Sequence, residues 1–102
     1  MIVEYIRYKI PNERQKQFEN AYEKARESLK VSSHCLQYEL SHCAERPEYY
    51  ILRIEWVSLE GHMKGFRNSP EFQTFFNAVR PFFNNIEEMN HYEVTNVKGS
   101  KQ

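Results

Sequence analysis

Residues 34–57 read HCLQYELSHCAERPEYYILRIEWV, and the fold turns on them. From His34 to Cys43 the residues alternate. Leu36, Tyr38 and Leu40 point one way, and Gln37, Glu39 and Ser41 the other, the period-two pattern of a half-buried strand. AERPE, residues 44–48, supplies turn chemistry. Alternation then resumes over residues 49–57. Tyr50, Leu52, Ile54 and Trp56 line one face, and Tyr49, Ile51, Arg53, Glu55 and Val57 the other. Two alternating runs joined by a short turn predict an antiparallel hairpin.

Upstream, IVEYIRYKI (2–10) predicts a strand with Ile2, Ile6, Tyr8 and Ile10 on one face and Val3 and Tyr5 on the other. Pro11-Asn12 ends it, with Asn12 a candidate helix cap. Phe18, Ala21, Tyr22, Ala25 and Leu29 keep helical spacing through residues 13–30. The pairs Glu23/Arg26 and Glu27/Lys30 mark that helix's solvated face. Downstream, Ser58 can cap a short helix reaching Asn68. Ser69-Pro70 then restarts it, with Ser69 as cap and Pro70 at the first helical position. Phe72, Phe75, Phe76 and Val79 continue the helical spacing up to Pro81. MNHYEVTNV (89–97) predicts a last strand. There Tyr92 shares parity with Val94, which predicts Tyr92 facing the helices and His91 facing away.

The order β–α–β–β–α–β predicts a ferredoxin-like α+β sandwich: an antiparallel four-stranded sheet with both helices on one face. Ile51 and Val57 on the opposite face imply that this face is covered, and a homodimer in which two sheets meet is expected. Residues 1–97 are expected to form one domain, with 98–102 a frayed polar tail.

At 102 residues, the chain is of single-domain size. Its net charge is zero, so no basic stripe is available to neutralise phosphates and nucleic acid is not an expected partner. No apolar run approaches the roughly 20 residues of a membrane span. Glu4, Arg7 and Lys9 interrupt the early apolar stretch, which argues against a signal peptide and for a cytoplasmic protein. Cys35 and Cys43 lie eight positions apart, roughly 26 Å along a strand. A disulfide needs Cα atoms within about 7 Å, so free thiols are expected.

Candidate chemistry concentrates in EGHMKGFRNSPEF (60–72), where two of the three glycines, Gly61 and Gly65, flank His62. Two glycines inside a helix cost about 2 kcal/mol relative to alanine, which something must offset. Close packing of the helix backbone is one reading. The other is a pocket entrance, with a ligand approaching the backbone at Gly65 beside His62 and Phe66. Trp56, at the end of its strand, needs a partner for its indole N–H if buried. No metal site is expected, because His34 and His42 are eight apart on one strand, and His62 and His91 lack an adjacent carboxylate triad or HxxxH spacing. GxSxG is absent, which argues against a hydrolase.

Taken over about 95 residues, the pattern resembles the antibiotic biosynthesis monooxygenase (ABM) domains of the dimeric α+β barrel superfamily. The carriers are CLQYELS, YYILRIEW ending in Trp56, and the Ser69-Pro70-x-Phe72 helix start. GHMKGFRNSPEF followed by PFFNNIEEMNHYE is similar to a sub-branch also found fused to globins. The resemblance implies a ligand pocket between sheet and helices. It implies either a cofactor-free oxygenase of quinols or anthrones, or a haem-degrading enzyme. Trp56 matches the family's strand-end aromatic residue. Phe66 falls where many members place His or Trp, and His62 sits one turn earlier. The haem-degrading branch has a His where this chain has Phe75-Phe76, and an Asn on the first strand that is missing here, so haem degradation is disfavoured.

The expected function is therefore a cofactor-independent monooxygenase, using dioxygen on a small hydroxyaromatic or quinol substrate. His62 is the candidate base. Trp56, Phe66 and Phe76 are candidates to hold the substrate ring, and Arg67 or Arg80 to stabilise an oxyanion. Gly65 and Tyr92 complete the expected substrate-binding set. The alternative is a non-catalytic dimeric barrel that binds a small aromatic ligand or haem.

Overall fold

Four strands pair antiparallel in the order β2-β3-β1-β4. They are β1 (Ile2–Lys9), β2 (Cys35–His42), β3 (Tyr49–Trp56) and β4 (Ile86–Glu93). α1 (Gln15–Val31) connects β1 to β2, and α2 (Pro70–Val79) lies between β3 and β4. Each connection passes over one intervening strand, so the chain has the expected ferredoxin-like βαββαβ topology. The structure, a computed structural model, describes residues 1–101. Among these, no helix is long and apolar enough to cross a membrane, and both cysteines are free.

The sheet's inner face buries all four predicted β3 residues, Tyr50, Leu52, Ile54 and Trp56. Ile6 and Tyr8 of β1 join them, and α1 contributes Phe18, Tyr22, Ala25 and Leu29. Phe18 is fully buried and meets the rings of Tyr8, Tyr22, Tyr50 and Phe82, all with centroids 4.8–5.2 Å away. Such tilted and edge-on contacts suit the ring quadrupole. Ser69 caps α2 as expected, accepting from the Phe72 N–H, with Pro70 at the first helical position. Glu23 and Arg26 pair at 3.2 Å on the exposed face of α1.

Several local expectations need correction. Asn12 caps nothing; it begins a short 3-10 turn that leads into α1. Leu36 does not join Tyr38 and Leu40 inside. The β2–β3 register shifts between Cys35 and Gln37, and this bulge leaves Leu36 exposed while Cys35 packs on the core. β4 starts at Ile86, three residues earlier than predicted, and ends at Glu93, four residues earlier. Glu87-Glu88 is consequently part of a strand. Tyr92 faces away from the helices and His91 toward them, the reverse of the expectation. Pairing with β1 sets His91 opposite Glu4 and Tyr92 opposite Val3. Val94, whose parity suggested otherwise, lies beyond the strand's end.

The glycine segment also reads differently in three dimensions. Ser58 accepts from the Gly61 N–H at 2.8 Å, as a cap should. The next turn, Gly61–Gly65, is π-helical, with the Phe66 N–H shared between the carbonyls of Gly61 and His62. Neither glycine has positive φ, so conformational freedom is not their purpose. Space is. A Cβ at Gly65 would lie 2.4 Å from the His34 ring, and one at Gly61 would lie 3.1 Å from the Ser58 hydroxyl. Gly65 thus makes room for His34, just ahead of β2, which supports the packing reading over the pocket entrance.

This packing generates a coupled prediction. Replacing His34 with Ala frees the space, so Gly65→Ala in that background gains the helix propensity of about 1 kcal/mol. In the wild-type background the same change forces the imidazole aside and gains less or destabilises. Denaturant unfolding of the four variants reads the coupling, and equal effects of Gly65→Ala in both backgrounds would refute the packing role.

Candidate functional site

Three polar side chains converge beneath the end of the sheet. Glu4 comes from the middle of the inner face of β1, His62 from the π-helical turn and His91 from β4. Antiparallel pairing of the two strands brings Glu4 opposite His91. The π turn turns His62 inward, and Trp56 supplies its seat. The two rings stack with centroids 4.2 Å apart and planes 10° from parallel. Phe66 lies 5.0 Å from Trp56 and continues toward Phe72 and Phe75.

The Trp56 indole N–H donates to Glu4 Oε1 at 3.1 Å, which answers the question of its partner. His62 Nδ1 and His91 Nε2 lie 2.6 Å apart, so one proton is held between them. His62 Nε2 faces Glu4 Oε1 at 3.7 Å, and His91 Nε2 faces Glu4 Oε2 at 3.8 Å. One tautomer set avoids opposing lone pairs to an ionised Glu4. In it His91 Nε2–H donates to His62 Nδ1, and His62 Nε2–H is directed at the carboxylate. Glu4 is 2% exposed and His62 4%, whereas the His91 side chain is 23% exposed. The row therefore runs from a partly solvated imidazole to a buried carboxyl.

Burial dominates the protonation of all three groups. Desolvation raises the Glu4 carboxyl, opposed by the Trp56 hydrogen bond and the charge of Arg67. Desolvation pushes His62 down to about 3, helped by His91 and Arg67. His91 is lowered by burial and by Arg67. Both imidazoles are neutral near pH 7, so their approaches to Glu4 are not ion pairs there.

Of the residues singled out from sequence, Trp56, His62 and Phe66 meet in one place, with Arg67 exposed but close enough to act on all three titratable groups. Gly65 faces His34 instead. Phe76 stacks on Phe72 and meets Phe83, on the half-exposed side of α2. Arg80 is exposed at the far end of α2, about 16 Å from the Ser69 cap by helix rise. Tyr92 packs edge-on against Tyr5 on the opposite face of the sheet. Glu4 was missed, and with it the carboxylate that the two histidines lack in sequence. Its signal was present: it shares parity with Ile2, Ile6 and Tyr8, so a charged residue interrupts an apolar face. An open cleft of about 290 Å³ lies elsewhere, between α1 and the β2 side of the sheet, with Tyr22, Leu29, Tyr38, Leu40 and Leu52 along it.

The depressed pKa of His62 has a defined consequence for stability. The unfolded chain takes up a proton at the ordinary value of 6.5, while the folded chain resists until about 3. Between these values the unfolded state binds more protons, so stability falls as pH drops from above 6.5 toward 3. His91 acts in the same direction. Glu4, raised from 4.5, acts oppositely, losing stability as pH rises above its unfolded value. Unfolding in urea at pH 7.5 and pH 5 is expected to show wild type weakened at pH 5. His62→Phe, which keeps a ring on Trp56, should flatten that dependence; an unchanged slope would contradict it.

Comparison with known proteins agrees with this architecture. The family model for antibiotic biosynthesis monooxygenase matches residues 1–78, a span that includes Glu4, Trp56 and His62 but not His91. The uncharacterised protein YczJ of Bacillus subtilis is 29% identical over 79 residues, covering 78% of this chain and 83% of that one. A solved structure of a candidate antibiotic biosynthesis monooxygenase from Bordetella bronchiseptica is 26% identical. It superposes with a TM-score of 0.80 over 92% of this chain and 96% of its own. A similar candidate from Deinococcus radiodurans shares the fold at 15% identity, with a TM-score of 0.76 and 100% of both chains covered. With more than half its length matched by the family model, the chain belongs to the antibiotic biosynthesis monooxygenase family.

Proposed function

We propose that the protein is a cofactor-independent monooxygenase of a small hydroxyaromatic or quinol substrate, acting as a homodimer. The observation that supports this is the row of partly exposed His91, His62 and buried Glu4, with 2.6 Å between the imidazoles and 3.7 Å from His62 to the carboxylate, in a chain of this family. A neutral imidazole at the exposed end accepts the substrate's phenolic proton. His62 relays it, and the Glu4 carboxyl, raised by burial, is the final acceptor. Arg67 stabilises the resulting oxyanion, and Trp56 and Phe66 form the apolar wall behind it. The electron-rich anion passes one electron to dioxygen, and the two radicals combine at carbon. The peroxide anion takes back the proton held at Glu4 and loses water to leave a carbonyl: one CH₂ (the keto tautomer of the ring C–H) and O₂ become C=O and H₂O.

A second reading has its own support. Trp56 and Phe66 are each 1% exposed, so the space beside His62 is filled, and the open cleft lies at α1 and β2. On that reading the protein binds a small aromatic ligand, or haem, without turnover.

Oxygen consumption with a panel of quinols and hydroxyaromatics separates the two. Turnover is expected in wild type, with losses of roughly 100-fold in His62→Ala and His91→Ala. Uptake undiminished in both variants, or ligand-induced thermal stabilisation with no consumption, favours the binding module.

Self-association is proposed through the outer sheet face, which carries Tyr5, Ile51 and Tyr92 among charged neighbours. Sedimentation is expected to give a dimer for wild type and a monomer for Ile51→Glu. A monomeric wild type at the concentrations of the assay excludes this part of the proposal.

A further inference from the structure

We infer that Glu4, His62 and His91 form a binding site for a first-row divalent metal ion, Zn²⁺ being the redox-inert member of the class. This does not rest on the oxygenase reading.

The donor atoms of the three residues all lie within 4.8 Å of one another, and they come from three separate elements. Two imidazole nitrogens and one carboxylate oxygen are a donor set typical of zinc and related metals with open coordination positions. Bonds of about 2.0–2.1 Å in a tetrahedron set donors about 3.3–3.5 Å apart. The His91 Nε2 to Glu4 Oε2 separation is 3.8 Å, near that figure. His62 Nδ1 and His91 Nε2, at 2.6 Å, point at one another and need to open by less than 1 Å. Two ring nitrogens aimed at each other hold either a proton or a cation between them.

The supporting atoms fit the same assignment. With His62 Nδ1, His91 Nε2 and Glu4 Oε2 on the metal, the other ring nitrogen of His62 carries its proton toward Glu4 Oε1. Trp56 Nε1–H already donates to that oxygen. The carboxylate is thereby oriented by the Trp56 N–H, with His62 Nε2 3.7 Å away, and the stack on Trp56 fixes the plane of His62. Charge points the same way. Among the described residues, no lysine or arginine nitrogen lies within 4.0 Å of the buried Glu4 carboxylate, whose near neighbours are two imidazoles. Arg67 acts on it only at longer range, and a divalent cation supplies positive charge in contact with the carboxylate. Partial exposure of His91 provides the entry path.

The test is titration of chelator-treated full-length protein with Zn²⁺ by calorimetry, and with Co²⁺ by its visible d–d absorption. Expected are one ion per chain and a micromolar or tighter Kd. Glu4→Gln and His91→Ala should each weaken binding at least 100-fold, and Trp56→Phe should weaken it about 10-fold to 100-fold through lost orientation of Glu4. Circular dichroism establishes that each variant is folded. His91→Ala, at a partly exposed position on an edge strand, keeps the test valid if the buried changes unfold the chain. Failure of folded wild type to bind either ion at millimolar concentration overturns the inference. Retention of wild-type affinity in His91→Ala also overturns it, because the ion would then sit elsewhere. Because the ion would take the same His62 and His91 nitrogens as the proton path, the monooxygenase proposal concerns the metal-free protein; both outcomes are read from binding alone, without oxygen uptake.

Discussion

A carboxylate buried in the apolar face of the sheet is the constraint around which this end of the molecule is built. Moving an isolated charge out of water costs many kcal/mol unless the protein supplies partners. Glu4 has one good donor, the Trp56 indole, at 3.1 Å. Two imidazoles stand further off, and Arg67 acts at longer range. Trp56 is therefore more than apolar filling: it anchors the carboxylate with its edge and His62 with its face. Each of these groups restricts the next.

The central position of β1 makes this possible. It pairs with β3 on one side and β4 on the other, so an inward residue on β1 is flanked by both. Glu4 meets Ile54 and His91 across the ladder, and His62 descends from above. The segment carrying His62 depends in turn on the absence of side chains at Gly61 and Gly65, where His34 and Ser58 take the room. The aromatic core around Phe18 is a separate region of the same inner face. Its tight packing contrasts with the polar seam at the Trp56 end, which is where chemistry is available.

Much of the architecture was legible because periodicity is a local property. The hairpin of β2 and β3, the inward set on β3 and the Ser69-Pro70 helix start all followed from residue alternation or capping chemistry. So did the co-location of Trp56, His62 and Phe66, which lie within eleven residues of one another in sequence. Misreadings clustered where register matters. Leu36 turned outward because a bulge shifts parity by one residue. Tyr92 and His91 exchange faces relative to the parity expectation because Val94 falls outside the strand.

Residue order alone was enough to establish the six elements and their wrapping, since alternation, helical spacing and turn residues act between near neighbours. The partnership of Glu4 with two histidines 58 and 87 positions away is a matter of which strands lie side by side and in which register. Nothing in the neighbourhood of any one of them encodes that. A glutamate amid isoleucines looks like an interruption until folding places an indole N–H and two imidazoles around it. The same holds for Gly65, whose need for space comes from a histidine thirty-one residues earlier. Long-range juxtaposition is set by packing of whole elements, and so the chemistry of this site emerges with the packed sheet.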